Sequence, residues 1–104
     1  MRRFGKSYAH PLIVLLTAPN QLNQSRFGVA AGRSIGKAVQ RNRAKRLLRE
    51  ALRPLLPMIE TGWDVLLISR YKMNEAKLEQ VEQAVIELLQ RAGLYRKDLD
   101  ETTY

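Results

Sequence analysis

Between Lys37 and Arg53 the chain sets Lys37, Arg41, Arg43, Lys45, Arg46, Arg49 and Arg53, with Glu50 the single carboxylate among them. These side chains suit phosphate recognition. An arginine fork matches two phosphate oxygens at once, and lysine adds a mobile point charge. Asn42 stands between Arg41 and Arg43. Its amide can donate to and accept from a base edge, a ribose hydroxyl or a backbone group. Gly36 and Lys37 lead into the run, where the free N–H groups of a helical first turn add a place for an anion. Spacing alone leaves the groove of a duplex and the backbone of folded RNA both open as targets.

Other chemistries are poorly supplied. There is no cysteine, which removes disulfides and thiolate metal sites. His10 is the only histidine; it precedes Pro11 without an evident relay partner, and a structural role is expected for it. The basic half holds no carboxylate cluster of the kind a two-metal centre needs. A stand-alone nuclease is therefore disfavoured.

The charge distribution points the same way. The 104 residues carry 18 Lys plus Arg and 10 Asp plus Glu, a net charge of +8. Residues 1–53 hold twelve basic residues and one acidic, a net +11, whereas the remainder is −3. Such a concentrated basic surface implies a polyanion as partner. A hydrophobic fraction of 45% supports one folded domain rather than a disordered basic tail. The longest uncharged apolar stretch, Pro11 to Pro19, is too short to span a membrane, and no signal-peptide pattern is evident. A cytoplasmic protein without membrane contact is expected.

The elements that must position the basic residues read as strand, strand, helix, strand, helix. Pro11–Leu16 and Arg26–Ala31 are expected strands, close enough to pair as an antiparallel hairpin across the loop 18–25. Residues 32–36 form a turn, and a helix is predicted over Lys37–Leu55, ended by Pro54 and Pro57. Trp63–Ser69, nearly continuous in apolar residues, is predicted as a central strand. A second helix is predicted over Glu75–Arg91 with Gly93 as its stop. Its buried stripe is Val81, Ala84, Val85, Leu88 and Leu89. The tail 94–104 reads as flexible. At 100° per residue from Val39, Ala44, Leu47, Leu48, Ala51 and Leu55 fall at roughly 80° to 180°. Arg41, Asn42, Lys45, Arg46, Arg49 and Arg53 fall at roughly 200° to 340°, while Arg43 sits apart near 40°. One face thus suits a sheet and the opposite face a polyanion. A membrane-surface helix is disfavoured, because so small a domain needs that apolar face for its core.

The run RFGVAAGRSIGKAVQRNRAKRLLREALR resembles the signature region of the bacterial ribonuclease P protein component. The likeness rests on Arg26-Phe27-Gly28-Val29, Gly36-Lys37-Ala38-Val39, Arg41-Asn42-Arg43, Lys45-Arg46 and Arg49-Glu50. Phe4-Gly5-Lys6-Ser7-Tyr8 running into a strand and Gly62-Trp63-Asp64-Val65 extend it over roughly residues 4–92. The resemblance implies an α+β two-layer sandwich: a four-stranded sheet with packed helices, similar to the second domain of ribosomal protein S5. It also implies a left-handed crossover through the basic helix, against the usual hand. The fourth strand is not evident; the candidates are part of Arg33–Ile35 or an extension of the first strands.

For function, the resemblance implies a subunit of an endonuclease whose catalytic RNA binds Mg²⁺ and removes the 5′ leader of precursor tRNA. Lys37, Arg41, Asn42, Arg43, Lys45, Arg46 and Arg49 would face the catalytic RNA. Tyr8, Arg26 and Phe27 would line or rim the leader cleft, and Gly36 would admit a close turn. The protein would be monomeric within the holoenzyme. Family members usually open with an aromatic-bearing helix. Most of it is expected to be absent from this sequence, with Phe4 as a remnant. The usual Ser-Lys-Lys type run before the signature glycine is Gly32-Arg33-Ser34 here. The alternatives are a ribosomal-type RNA-binding module without an enzymatic partner, and a compact DNA-binding protein. The latter would need more neutral base-reading side chains and a dimer surface.

Overall fold

The computed structural model describes residues 5–96. Phe4 and the tail 97–104 lie outside the described residues. Four strands, β1 (Lys6–Ala9), β2 (Ile13–Pro19), β3 (Arg26–Ala31) and β4 (Trp63–Ser69), form one sheet in the order β1-β2-β4-β3. Two helices, α1 (Ala38–Leu52) and α2 (Leu78–Arg91), complete an α+β fold. Short 3-10 turns occupy Arg33–Ile35, Arg53–Met58 and Tyr71–Glu75.

The fourth strand is β1, a separate strand ahead of β2 rather than an extension of the expected ones. Its charged and polar side chains hide it, because it is a largely exposed edge strand with only Tyr8 half-buried. A tight turn joins it to β2: the His10 and Ile13 backbones exchange hydrogen bonds at 2.8 and 3.2 Å. His10 Nδ1 accepts the Leu12 N–H at 3.0 Å, so the histidine caps this turn. Arg33–Ile35, the other candidate strand, is a 3-10 turn.

The expected β2–β3 hairpin does not form. β4 lies between them, antiparallel to β2 and parallel to β3. The reason lies in the two strand faces of β4. Val65, Leu67 and Ser69 are buried on one face, while Leu66 and Ile68 are half-buried on the other. Such a strand gains most from neighbours on both edges. The loop 20–25 is built to pass over the start of β4. Asn20 N–H donates to the Gly62 carbonyl at 2.9 Å. Asn20 Nδ2 donates to Asp64 Oδ1 at 3.0 Å, and Ser25 Oγ accepts the Trp63 N–H at 3.0 Å. The parallel β3–β4 pair then requires a crossover, and α1 supplies it.

The helices pack on one face of the sheet. Ile13 and Leu15 of β2, Val65 and Leu67 of β4, Ala44, Leu48, Ala51 and Leu52 of α1, and the predicted stripe of α2 form one buried cluster. α1 stops at Leu52 rather than Leu55. Pro54 lacks the N–H that the Glu50 carbonyl would accept, and the last turn tightens into the 3-10 segment. α2 starts at Leu78 rather than Glu75, where Gln80 Oε1 accepts the Lys77 N–H at 2.8 Å. Gly93, at φ 76°, ends it as expected. The next three residues are not loose: Leu94 is buried, Tyr95 bridges to Ile59, and Arg96 N–H donates to the Met58 carbonyl at 2.6 Å.

Candidate nucleic-acid interface

The start of α1 depends on Gly36. Its φ of 112° belongs to the region that L-residues avoid, and a Cβ there would stand 2.6 Å from Gln40 Oε1. That oxygen is occupied: it accepts the Lys37 N–H at 3.1 Å, supplying the backward half of a capping box. Lys37, Val39, Arg41 and Asn42 are all exposed here, with Val39 79% exposed. The first turn carries no acidic residue.

Further along, the burial of α1 is centred on Ala44, Leu48, Ala51 and Leu52, whereas Leu47 is only half-buried. Leu52 belongs to the buried face, and Lys45, about 20° from it around the helix, is half-buried in consequence. Asn42, Arg46, Arg49 and Arg53 remain exposed at roughly 280° to 340°, on the side away from the core. These four side chains make one exposed polar stripe, three of its members cationic. Arg49 and Arg53 also border a groove of about 420 Å³ with Phe27, Val29, Leu52 and Leu56.

Arg43 does not join that stripe. Its Nη2 donates to the Ala76 carbonyl at 2.8 Å, with longer contacts from Nη1 to the carbonyls of Met73 and Asn74 at 3.3 and 3.4 Å. The guanidinium is thus turned onto the backbone of the Tyr71–Glu75 turn. Periodicity had already set Arg43 apart; its acceptors, some thirty residues downstream, carry no side-chain signal.

Tyr8, Arg26 and Phe27 are not brought together. β1 and β3 are opposite edges of the sheet, so Tyr8 is far in the strand order from the other two. Strand register also sorts the faces. Tyr8 aligns with Leu15, and Phe27 with Val65, so both lie on the helix-covered face, half-buried against the core. Arg26 aligns with Asp64 on the opposite face. It is held there by a two-pronged pair, Nε to Oδ1 at 2.8 Å and Nη2 to Oδ2 at 2.7 Å. The hydrogen bond and charge of Asp64 hold the Arg26 guanidinium above its ordinary pKa. Because the folded value is raised, this contribution is present below the ordinary arginine range wherever Asp64 is ionised, and on the alkaline side it is lost as pH climbs through the raised value.

Sequence reading missed the face that Arg26 shares. Ser7, Leu16, Leu66 and Gly28 align across all four strands, and Ala9, Val14, Ile68 and Ala30 form the next row. Val14, Leu16, Leu66 and Ile68 are half-buried and stand outside the buried cluster. The signal was present in β2 and β4, whose apolar residues fill both faces of each strand. Among the described residues no group of three or more His, Cys, Asp or Glu side chains could hold a metal ion, and no helix is long and apolar enough to cross a membrane.

A family model described as Ribonuclease P matches residues 1–93. The chain is 45% identical over 95 residues to a ribonuclease P protein component of Herpetosiphon aurantiacus, covering 91% of this chain and 77% of that one. It is 40% identical to the protein of that name from Clostridium botulinum (Loch Maree), covering 89% and 85%. In three dimensions it is similar to the RNase P protein from Thermotoga maritima, at TM-score 0.75 and 33% identity over 84% of this chain and 83% of that one. The Staphylococcus aureus RNase P protein matches at TM-score 0.77 and 26% identity, covering 88% and 84%.

Proposed function

Because the chain belongs to the ribonuclease P protein component family, we propose that it is the protein subunit that helps a catalytic RNA remove the 5′ leader from precursor tRNA. The observation that carries this reading is the exposed stripe Asn42, Arg46 and Arg49, continued by Arg53 at the helix C-cap, on a helix whose other side is buried in the core. Lys37 and Arg41 extend it at the helix start, and half-buried Lys45 reaches it from the flank. This surface docks on the catalytic RNA through phosphate contacts, so binding weakens steeply with salt.

The leader lies on the open sheet face, over the apolar rows through Leu16 and Val14. Unpaired bases need apolar surface, and single-stranded RNA presents them. Arg26 stands at the edge of that face, paired to Asp64. Phe27 and Tyr8 act from beneath, as packing for the sheet. As the family resemblance implies, the Mg²⁺ of the reaction is assigned to the RNA, and no step is routed through this chain. Its own residues bind and orient: the arginines hold the RNA, and the sheet holds the leader in register with it. The reading places one copy of the chain in each holoenzyme, in the cytoplasm.

The test is processing of a labelled precursor tRNA by the cognate catalytic RNA at low Mg²⁺, with and without the protein, and with protein alone. Correct 5′ cleavage that requires the RNA and is stimulated by the protein is expected. RNA binding without stimulation would instead favour a ribosomal-type binding module.

A further inference from the structure

The start of α1 is an unfavourable place for a helix end. Positive charge sits poorly at a helix N-terminus, where the macrodipole already presents its positive pole. Yet Lys37 and Arg41 stand there, with no carboxylate in the first turn to offset them. The cap is a single glutamine hydrogen bond, from Lys37 N–H to Gln40 Oε1 at 3.1 Å. Left to itself, such a turn would fray, and the side chains it carries would lose their common orientation.

Two contacts oppose that, and both run through the Tyr71–Glu75 turn. Arg43, in the second turn of α1, reaches across to the Ala76 carbonyl at 2.8 Å, with its other nitrogen 3.3 Å from the Met73 carbonyl and 3.4 Å from that of Asn74. Asn74 Nδ2 then donates to the Ile35 carbonyl at 3.1 Å. Ile35 is fully buried and immediately precedes Gly36 and Lys37. The connections close a circuit: α1 to the 71–75 turn, the turn to Ile35, and Ile35 through Gly36 back to α1. Met73, also fully buried, pins the turn to the core from below.

We propose that Arg43 is a positioning residue of the RNA interface: it locks the 71–75 turn and the start of α1 into one rigid unit, so that Lys37, Arg41 and Asn42 meet the RNA already ordered. The inference rests on the RNA-docking reading above and divides the Arg-Asn-Arg run by task. Arg41 and Asn42 face the RNA, while Arg43 acts through the backbone it holds. Ordering these side chains before binding removes an entropic cost that would otherwise be met on association.

The test is binding of the full chain to its catalytic RNA across a salt series, for the unmodified protein and for Arg41→Ala, Arg43→Ala, Arg43→Lys and Asn74→Ala. Each is measured well below its melting temperature, with folding checked by circular dichroism. Removing a phosphate contact lowers the slope of log affinity against log salt by about one, and Arg41→Ala is expected to do so. Arg43→Ala is expected to bind about tenfold more weakly with the slope unchanged. Arg43→Lys should be nearly as weak, since it keeps the charge but loses the planar fork. Asn74→Ala, which changes no charge, should weaken binding in the same way. Should Arg43→Ala fail to fold, the lysine and Asn74 variants decide alone. A slope reduced by about one in Arg43→Ala, with affinity restored by lysine, would make Arg43 a phosphate contact and overturn the proposal. So would a lowered melting temperature with unchanged affinity, which marks a purely stabilising contact. If the unmodified chain shows no salt-dependent binding, the docking reading itself falls, and this inference with it.

Discussion

Asn42 and Arg43 are neighbours in sequence with opposite fates. One is exposed; the other is folded onto the carbonyls of residues 73–76. Helical geometry made that divergence legible, since Arg43 lies about 100° from its neighbour around the axis. The identity of its partners was not legible, because backbone carbonyls leave no mark in a sequence. Gly36 is the reverse case. Its small size was read from a motif, and its φ of 112° gives the physical reason. Gly36→Ala forces a Cβ toward Gln40 Oε1 and a strained backbone together. The protein should lose about 2 kcal/mol of stability, measured by urea denaturation, and its RNA affinity should fall as the cap is displaced.

At the scale of elements, strongly periodic segments were read well and weakly periodic ones were not. The buried stripe of α2 matches its apolar spacing residue for residue. β1 escaped notice because an exposed edge strand need not alternate, and its pairing with β2 is a long-range fact. The failed β2–β3 hairpin has the same origin: short sequence separation favoured it, and the two-sided apolar demand of β4 overrode that. For α1 the two faces make separable predictions. Leu48 is fully buried, so Leu48→Ala should cost about 3 kcal/mol in denaturation experiments by leaving a cavity. Arg46→Ala, Arg49→Ala and Arg53→Ala combined should leave stability within about 1 kcal/mol, since all three are exposed. The same triple variant should lower the salt slope of RNA binding by about three. A triple variant that binds like the unmodified protein would remove this face from the interface.

The whole molecule presents two surfaces with different physics on opposite sides. On the helix side the exposed face of α1 is cationic, and under the proposed docking on RNA its binding is dominated by counterion release. On the other side the sheet offers half-buried Val14, Leu16, Leu66 and Ile68, with little charge beyond the paired Arg26 and Asp64. If the leader occupies that second surface, damage to it should be selective for substrate. Leu16 stands on an interior strand between Ser7 and Leu66, so Leu16→Glu puts a carboxylate in the middle of the open face. The fold should tolerate it at a cost of about 1 kcal/mol, because the side chain is already partly exposed. In the holoenzyme, affinity for precursor tRNA should fall about tenfold, equivalent to ~1.4 kcal/mol, through repulsion of leader phosphates and loss of apolar contact. Affinity for mature tRNA, which has no leader, should not change, and neither should binding of the catalytic RNA. Competition binding with the two tRNAs reads this directly. An equal loss for both would mean that Leu16→Glu disturbs the docking of protein on RNA, and the leader would have to be assigned elsewhere, with the Arg49–Arg53 groove beside Phe27 the next surface to probe.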